Sequence, residues 1–412
     1  MVRERRSDGD APMSERNRWD VLVVGAGPAG CHAARRLAAE GRRVLLLDEN
    51  EGGRDEVVCT GIVGREAWEA MELPGSAVRD VVARARFVSP GGIDVRHDPP
   101  GPLARVVDRT VFDARLAARA AEAGARLARG QAVRGVEVGP EGVTLEARTG
   151  EGTARHRGRA LVVATGHQRW LHEAAGLGTP DEYVHGVHLD VPFRDLDEAE
   201  LYFGREVAPG FFAWAVPYGD MARLGVLARQ GARRWLARFV RRPGIRDRMD
   251  GAVLEEQGLR RAVASRGIVQ GKVEPSHADR VVAVGEAAGQ VKTTTAGGIY
   301  YGMIGAELAS EVLDEGLSAG RLDAAFLSDY ERRWHERLGP EIRAGRELQR
   351  VGAEMTDEEI DRLFGALQEG LGRAVREMVR FDWHRPALRA LLGRRAVWRR
   401  VVGRAVPSLL SA

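Results

Sequence analysis

A strand-like run, Val21 to Val24, flows into Gly25-Ala26-Gly27-Pro28-Ala29-Gly30, then a helical pattern through Ala38 and a second strand, Val44 to Leu47, ending on Asp48. Few folds accommodate this order, because each glycine has its own steric task. Gly25 permits a tight turn, Gly27 lets the backbone approach a pyrophosphate at a helix N-terminus, and Gly30 lets helix and strand pack closely. Asp48 is placed to bind a ribose hydroxyl. A G-x-G-x-x-G alone is a weak signal, but with the strand, the helix and an acid about 20 residues on it specifies a dinucleotide-binding βαβ unit.

The same physics returns late in the chain. Val281 to Val284 reads as a buried strand, and Gly285-Glu286-Ala287-Ala288-Gly289 follows, with Glu286 available to a polyol such as a flavin's ribityl chain. Gly297 and Gly298 then open a helix predicted from Ile299 to Glu315. Its positive dipole end and free N–H groups suit an anionic reduced flavin ring. The two segments together predict a flavoprotein.

Composition narrows the remaining classes. Only two of the 62 basic residues, Lys272 and Lys292, are lysines, and 59 acids bring the net charge to +3. With no aromatic-interleaved basic stripe, no nucleic-acid partner is expected. At 412 residues and 44% hydrophobic content, the chain can bury a core divided among two or three parts. Cys31 and Cys59 form neither a disulfide framework nor a dithiol pair, which fits a reducing cytoplasm. Residues 1–18 are charged, lack a signal-peptide core and read as a flexible N-terminus, and no apolar run predicts a membrane span. His185 and His188, three apart in a predicted strand, point to opposite faces, so no metal site is expected.

Between the glycine-rich segments the periodicity changes. A polar loop, Glu49 to Glu56, is expected to cross the flavin's edge before Cys59-Thr60-Gly61 and a helix from Gly64 to Met71. A helix is predicted from Phe112 to Ala123, strands near Val133 to Val138 and Val143 to Ala147, and a buried parallel strand from Ala160 to Ala164. From about Glu182 to Ala228, apolar and polar residues alternate as in an antiparallel sheet. Residues 373–404 carry ten arginines against two acids. This basic tail suits peripheral contact with a cytoplasmic membrane face, but Arg395 and Arg399 interrupt its apolar arc, and packing on the chain itself is the alternative. The expected fold is α/β. A Rossmann-type FAD-binding domain (19–75, 105–170 and 275–328) is interleaved with an antiparallel-sheet substrate domain (76–104 and 171–274), followed by a helical region (329–412).

The combined motifs resemble the geranylgeranyl reductase family, flavoenzymes of the p-hydroxybenzoate hydroxylase-like class, over roughly residues 19–320. The matching positions are the glycines at 25 to 30, Cys59 with Gly61, Arg109 ahead of Phe112-Asp113, Gly285 to Gly289, and Gly297-Gly298-Ile299. Phe212-x-Trp214-x-Val216-Pro217 is similar to the family's Y-x-W-x-F-P substrate-cavity motif. The resemblance implies FAD held by Gly25, Gly27, Ala29, Gly30, Asp48, Cys59, Gly61, Arg109, Gly285, Glu286, Gly289, Gly297, Gly298 and Ile299. It also implies a hydrocarbon channel along Phe212, Trp214, Val216, Pro217 and Tyr300. By residue chemistry alone Phe212, Trp214 and Val216 share one sheet face, which core packing explains equally well.

The implied reaction moves hydride from reduced flavin to an isolated double bond of an isoprenoid chain, on a lipid or prenylated quinone, and adds a proton to the neighbouring carbon. Such a site needs a dry channel and an acid. Cys59 is implied to support proton delivery or shape the ring's environment, whereas Cys31 reads as packing. The chain departs from the family at Glu286, which replaces an aspartate, and at Thr293 and Ala296, which replace the proline and first glycine of P-x-x-G-G-G. Thr165 stands where many relatives have the aspartate of A-D-G. With one dinucleotide fingerprint only, electrons are expected from NAD(P)H or from a reduced protein partner. The rival readings are a flavin-dependent hydroxylase of an aromatic or apolar molecule, and a flavin-binding electron-transfer or scaffold subunit. Halogenases share a W-x-W-x-I-P segment but use an early lysine, and the first 271 residues contain none.

Overall fold

Buried on both faces, the strands of the nucleotide-binding part read as continuous apolar runs, as a covered parallel sheet requires. In the computed structural model, which describes residues 18–51, 59–249, 264–368 and 378–392, these runs form an eight-stranded sheet. Its main path is His277–Ala278, Val281–Ala283, Gly152–Val163, Trp19–Val24, Val44–Leu47 and Arg126–Ala128. Val21, Val23, Val44, Leu46, Ala160 and Val162 face a core closed by helices, while Leu22, Val24, Leu45, Leu47, Leu161 and Val163 face a second core on the opposite side. The fold class is therefore as expected. The polar loop over Glu49 to Glu56, the N-terminus and the tail after 392 lie wholly or largely outside the described residues.

The strand expected from Ala160 instead begins at Gly152. Its first half pairs antiparallel with Gly142–Thr149, and at Gly158 it changes partner to run parallel with Trp19–Val24. That first half is largely exposed, so hydrophobicity did not mark it. The helix expected from Phe112 starts at Arg109, because the Asp108 carboxylate accepts from the N–H groups of Thr110 at 3.0 Å and Val111 at 3.1 Å. The helix after Gly298 continues from Ile299 to Ala319, where Gly320 at φ 70° ends it.

A seven-stranded sheet stands beside this unit in the order Ala264–Val269, Tyr183–Val191, Met221–Ala228, Ala213–Tyr218, Ala199–Tyr202, Ala85–Val88 and Asp94–His97. The 85–97 hairpin joins by a parallel pairing with Ala199–Tyr202. A small sheet of Ile62–Gly64, Ala104–Val107 and Val78–Val82 lies in the connections between these two large sheets. The helices Ala324–Glu354 and Arg385–Leu392 pack together, so this part of the basic tail lies on its own chain. Among the described residues no helix is long and apolar enough to cross a membrane.

The first helix, Pro28–Ala39, is seated by missing side chains. A Cβ on Gly30 would fall 1.9 Å from the Gly25 carbonyl oxygen and 3.0 Å from Ala164 Cβ. On the helix's other side, Gly285 and Gly302 approach each other and Ala29, with a Cβ on Gly302 meeting Gly285 Cα at 3.0 Å. Gly30→Ala is accordingly expected to destabilise the apoprotein by about 1–3 kcal/mol, as overpacking does, read from the denaturant midpoint.

Candidate active site

A cavity of about 1070 Å³ lies between the two large sheets and is walled in part by the C-terminal segment. It slightly exceeds the roughly 300–1,000 Å³ range of small-molecule sites, which leaves room for a cofactor and a substrate together. Gly27, Ala29, Cys59, Gly61, Arg109, Gly285, Glu286, Gly297, Gly298 and Ile299 all line it. Gly25, Gly30, Asp48 and Gly289 stand behind the wall. Gly25 has φ 105° and no room for a Cβ, while Gly289 at φ 69° ends the turn Gly285–Ala288.

Two helices begin at this wall without a side-chain cap, Pro28–Ala39 after Gly27 and Ile299–Ala319 after Gly298. Their unpaired N–H groups and positive dipole ends form anion receptors. Nothing lies within 4 Å of where a Gly27 Cβ would be, so the turn is open on the side a pyrophosphate would occupy. The glycine cradle and the two uncapped helix starts fit FAD.

Two acids expected at the cofactor are turned toward protein. Asp48 accepts from Ala26 N–H at 2.7 Å through one oxygen, and from the Asn50 backbone and side-chain amides at 2.9 and 2.7 Å through the other. It thereby pins the glycine turn, while its neighbours Glu49 and Asn50 line the cavity. Glu286 does line the cavity, but its carboxylate is paired with Arg266 and accepts from Val269 N–H at 3.1 Å.

Cys59 sits on a backbone held from three directions. Its Sγ accepts from Gly61 N–H at 3.4 Å, and Gly61 itself, at φ 78°, abuts the Val107 carbonyl. Arg109 lies alongside, buried and bidentate to Asp113 at 3.0 and 2.9 Å. Burial works against the Arg109 charge, but Asp113 and Cys59 outweigh it and raise its proton affinity. From the seven-stranded sheet, Arg223 donates to the carbonyls of Cys59 at 2.9 Å and Thr60 at 3.1 Å while paired with Asp190 at 2.7 Å. The only sequence signal for Arg223 was a charge within the apolar run Ala222 to Val226.

Opposite the glycines the wall is apolar. Phe212, Trp214 and Val216 all face the cavity, with the two rings 6.1 Å apart, whereas Pro217 does not line it. Gly225, paired with Trp214 across the strands, has no Cβ because the indole fills that space. Tyr300 lines the cavity beside Ile299. His188 interrupts the wall as a neutral group, lowered to about 4 by burial and the Arg223 charge against the opposing Asp190. His185 is exposed on the other face of that strand. Among the described residues no cluster could hold a metal ion.

The polar corner of the cavity comes from residues that sequence patterns did not single out for the site. Lys292, 6% exposed, pairs with Asp382, 2% exposed, at 2.6 Å. The Lys292 side chain packs against Gly297, where a Cβ would meet its Cε at 2.9 Å. Beside this pair His384 is kept neutral, lowered to about 4 by burial and then by Lys292, and its Nδ1 meets the Thr294 hydroxyl at 2.6 Å. Ala296, where the family pattern has glycine, sits in the same loop at φ 57°.

Residues 19–195 match the family model of the pyridine nucleotide-disulphide oxidoreductases. The chain is 30% identical over 364 residues to the digeranylgeranylglycerophospholipid reductase of Methanocaldococcus jannaschii, covering 86% of this chain and 91% of that relative. A geranylgeranyl bacteriochlorophyll reductase-like structure from Thermoplasma acidophilum superposes with a TM-score of 0.81 at 22% identity, covering 94% of this chain and 99% of that one. The p-nitrophenol 4-monooxygenase of Pseudomonas putida superposes with a TM-score of 0.68 at 17% identity, covering 89% and 98%. These two likenesses show the fold alone. Fold and site thus define an FAD-dependent oxidoreductase. Within that class, the chain belongs to the geranylgeranyl reductase family typified by the digeranylgeranylglycerophospholipid reductases.

Gly27→Ala has an allowed backbone, φ −76° and ψ 178°, and open space. It is expected to leave apoprotein stability within about 0.5 kcal/mol while weakening FAD binding about tenfold or more, about 1.4 kcal/mol, in a fluorescence titration. Ala296→Gly removes a left-handed alanine and is expected to stabilise the apoprotein by about 1 kcal/mol, measured by denaturant unfolding.

Proposed function

We propose that this protein saturates carbon–carbon double bonds of an isoprenoid chain carried by a lipid, of the digeranylgeranylglycerophospholipid kind named for its relatives. The observation that supports this most directly is the single cavity joining the glycine cradle to the wall of Phe212, Trp214 and Val216. A cofactor and an uncharged chain can meet there without water.

When bound, reduced FAD supplies the hydride. Gly27 and the uncapped start of Pro28–Ala39 hold the pyrophosphate, and the start of Ile299–Ala319 stabilises negative charge on the flavin ring. The apolar wall aligns the double bond and excludes water, contributions that lower the barrier through positioning. Cys59, fixed by Gly61, Arg109 and Arg223, shapes the ring's surroundings. The electron donor is NAD(P)H acting transiently or a reduced protein. Thr165 supplies no charge for a nicotinamide nucleotide, which favours the protein donor.

The test is anaerobic. Flavin reduced with dithionite and mixed with prenyl lipids is expected to reoxidise while mass spectrometry finds product two hydrogens heavier, and Trp214→Ala is expected to slow this about tenfold or more. Reoxidation that requires oxygen and yields an oxygenated aromatic product would replace the reading with a hydroxylase.

A further inference from the structure

The seven-stranded sheet presents one straight row of residues to the cavity. His188, Gly225, Trp214, Leu201 and Phe87 stand directly opposite one another on five adjacent strands. All but Gly225, whose Cβ position the Trp214 indole occupies, line the cavity. The row begins at an imidazole and is apolar from Trp214 onward. At its far end the Phe203 ring lies beside Phe87, with centroids 6.4 Å apart and planes 22° from parallel, and 6.0 Å from Phe212 on its other side. Phe203 also lines the cavity, and its N–H donates to the Val88 carbonyl at 3.0 Å, which fixes the backbone that carries the ring.

Behind Phe203 stands Phe364, buried, 5.7 Å away between centroids and not on the lining. It belongs to the helix Asp357–Ala366, which is fastened over the edge of the sheet. Asp361 accepts from the Ser89 hydroxyl and from Gly91 N–H at 2.8 Å, and Asp357 accepts from Arg205 N–H at 2.8 Å. The fit is close, since a Cβ on Gly91 would fall 2.6 Å from an Asp361 oxygen. Phe203 is therefore backed by a helix that polar contacts hold in place on both sides of the ring.

We infer that Phe203, with Phe87 beside it and Phe364 behind it, is the end stop for the isoprenoid chain, and that its distance from His188 sets the longest chain the site accepts. The inference rests on the double-bond reading. Four strand spacings separate His188 from Phe87, a span of about 19 Å. An extended chain advances roughly 3.3–3.6 Å per three bonds, so an isoprene unit of four main-chain bonds covers about 4.5 Å and the row holds about four units. The hydrocarbon terminus lies at the aromatic end, where no polar partner is needed, and the oxygen-bearing end lies toward His188. A fifth unit would have to displace Phe203 and the fastened helix behind it, and overpacking of that kind is destabilising.

The test compares all-trans isoprenoid alcohols of three, four and five units, in binding to the full-length apoprotein by tryptophan fluorescence and in reoxidation of the prereduced holoenzyme. Wild type is expected to prefer four units to five by about tenfold or more in both. Phe203→Ala is expected to raise the five-to-four ratio about tenfold, and Phe203→Trp to move the preference down to three units. Phe203→Leu keeps apolar packing against Phe364 and is expected to shift the ratio in the same direction as Phe203→Ala by a smaller factor, so a poorly folded alanine variant does not decide the outcome. General damage to the site slows all three chains alike and leaves the ratio where it was. A wild type indifferent to the fifth unit, or Phe203 variants whose ratio stays within twofold of wild type, overturns the stop and leaves the reductase reading standing. A wild type that binds chains with this length limit yet is reoxidised by none of them overturns the reductase reading and keeps the stop.

Discussion

The close approach of Gly25, Gly30 and Ala164, at the ends of two parallel strands and the start of the first helix, sets the position of everything that touches the cavity. Any side chain at 30 would push this helix off the sheet, since its Cβ would overlap the Gly25 carbonyl. The same helix is wedged from the other side by Ala29 against Gly285 and Gly302. Two glycine contacts on opposite flanks therefore hold two helix N-termini at one wall. The partial positive charge there is built into backbone that cannot relax, which is what makes it effective toward an anionic cofactor.

The second wall is tied to the first by charged side chains. Arg223 reaches from the seven-stranded sheet to the carbonyls of Cys59 and Thr60, and spends its remaining hydrogen bonds on Asp190. Lys292 and Asp382 join the loop before Ile299 to the C-terminal segment. Buried ion pairs of this kind add little net stability compared with apolar packing, because both charges lose water. Their value lies in geometry, since neither partner can move without leaving an unpaired charge. The width of the cavity is set in this way, while its apolar lining decides what enters.

Much of the fold was legible in local pattern. Val21 to Val24, the three spaced glycines, the helical pattern and Asp48 together marked a nucleotide-binding unit, and the alternation after Glu182 marked an antiparallel sheet, whose strands Ala213–Tyr218 and Met221–Ala228 are in fact buried on both faces. The misses have physical causes. Gly152–Val163 starts in a polar run because its first half projects into solvent, and the 85–97 hairpin is held to the sheet by parallel pairing with strand Ala199–Tyr202, more than a hundred positions on by residue number.

At the site, the chain's own order determined which residues have no side chain, which strand carries alternating large apolar groups, and where two helices must begin uncapped, since these depend on neighbours within a few positions. The aim of each charge was decided by tertiary structure alone. Asp48 and Glu286 were read as acids facing a ligand, yet their oxygens are met by Ala26, Asn50, Arg266 and Val269. Lys292 was a rare lysine in an arginine-rich chain until the fold brought Asp382, 90 positions on, within hydrogen-bond reach. A charge in a dry interior takes whatever partner the fold brings within hydrogen-bond reach, and that reach is a distance in space that sequence separation does not measure.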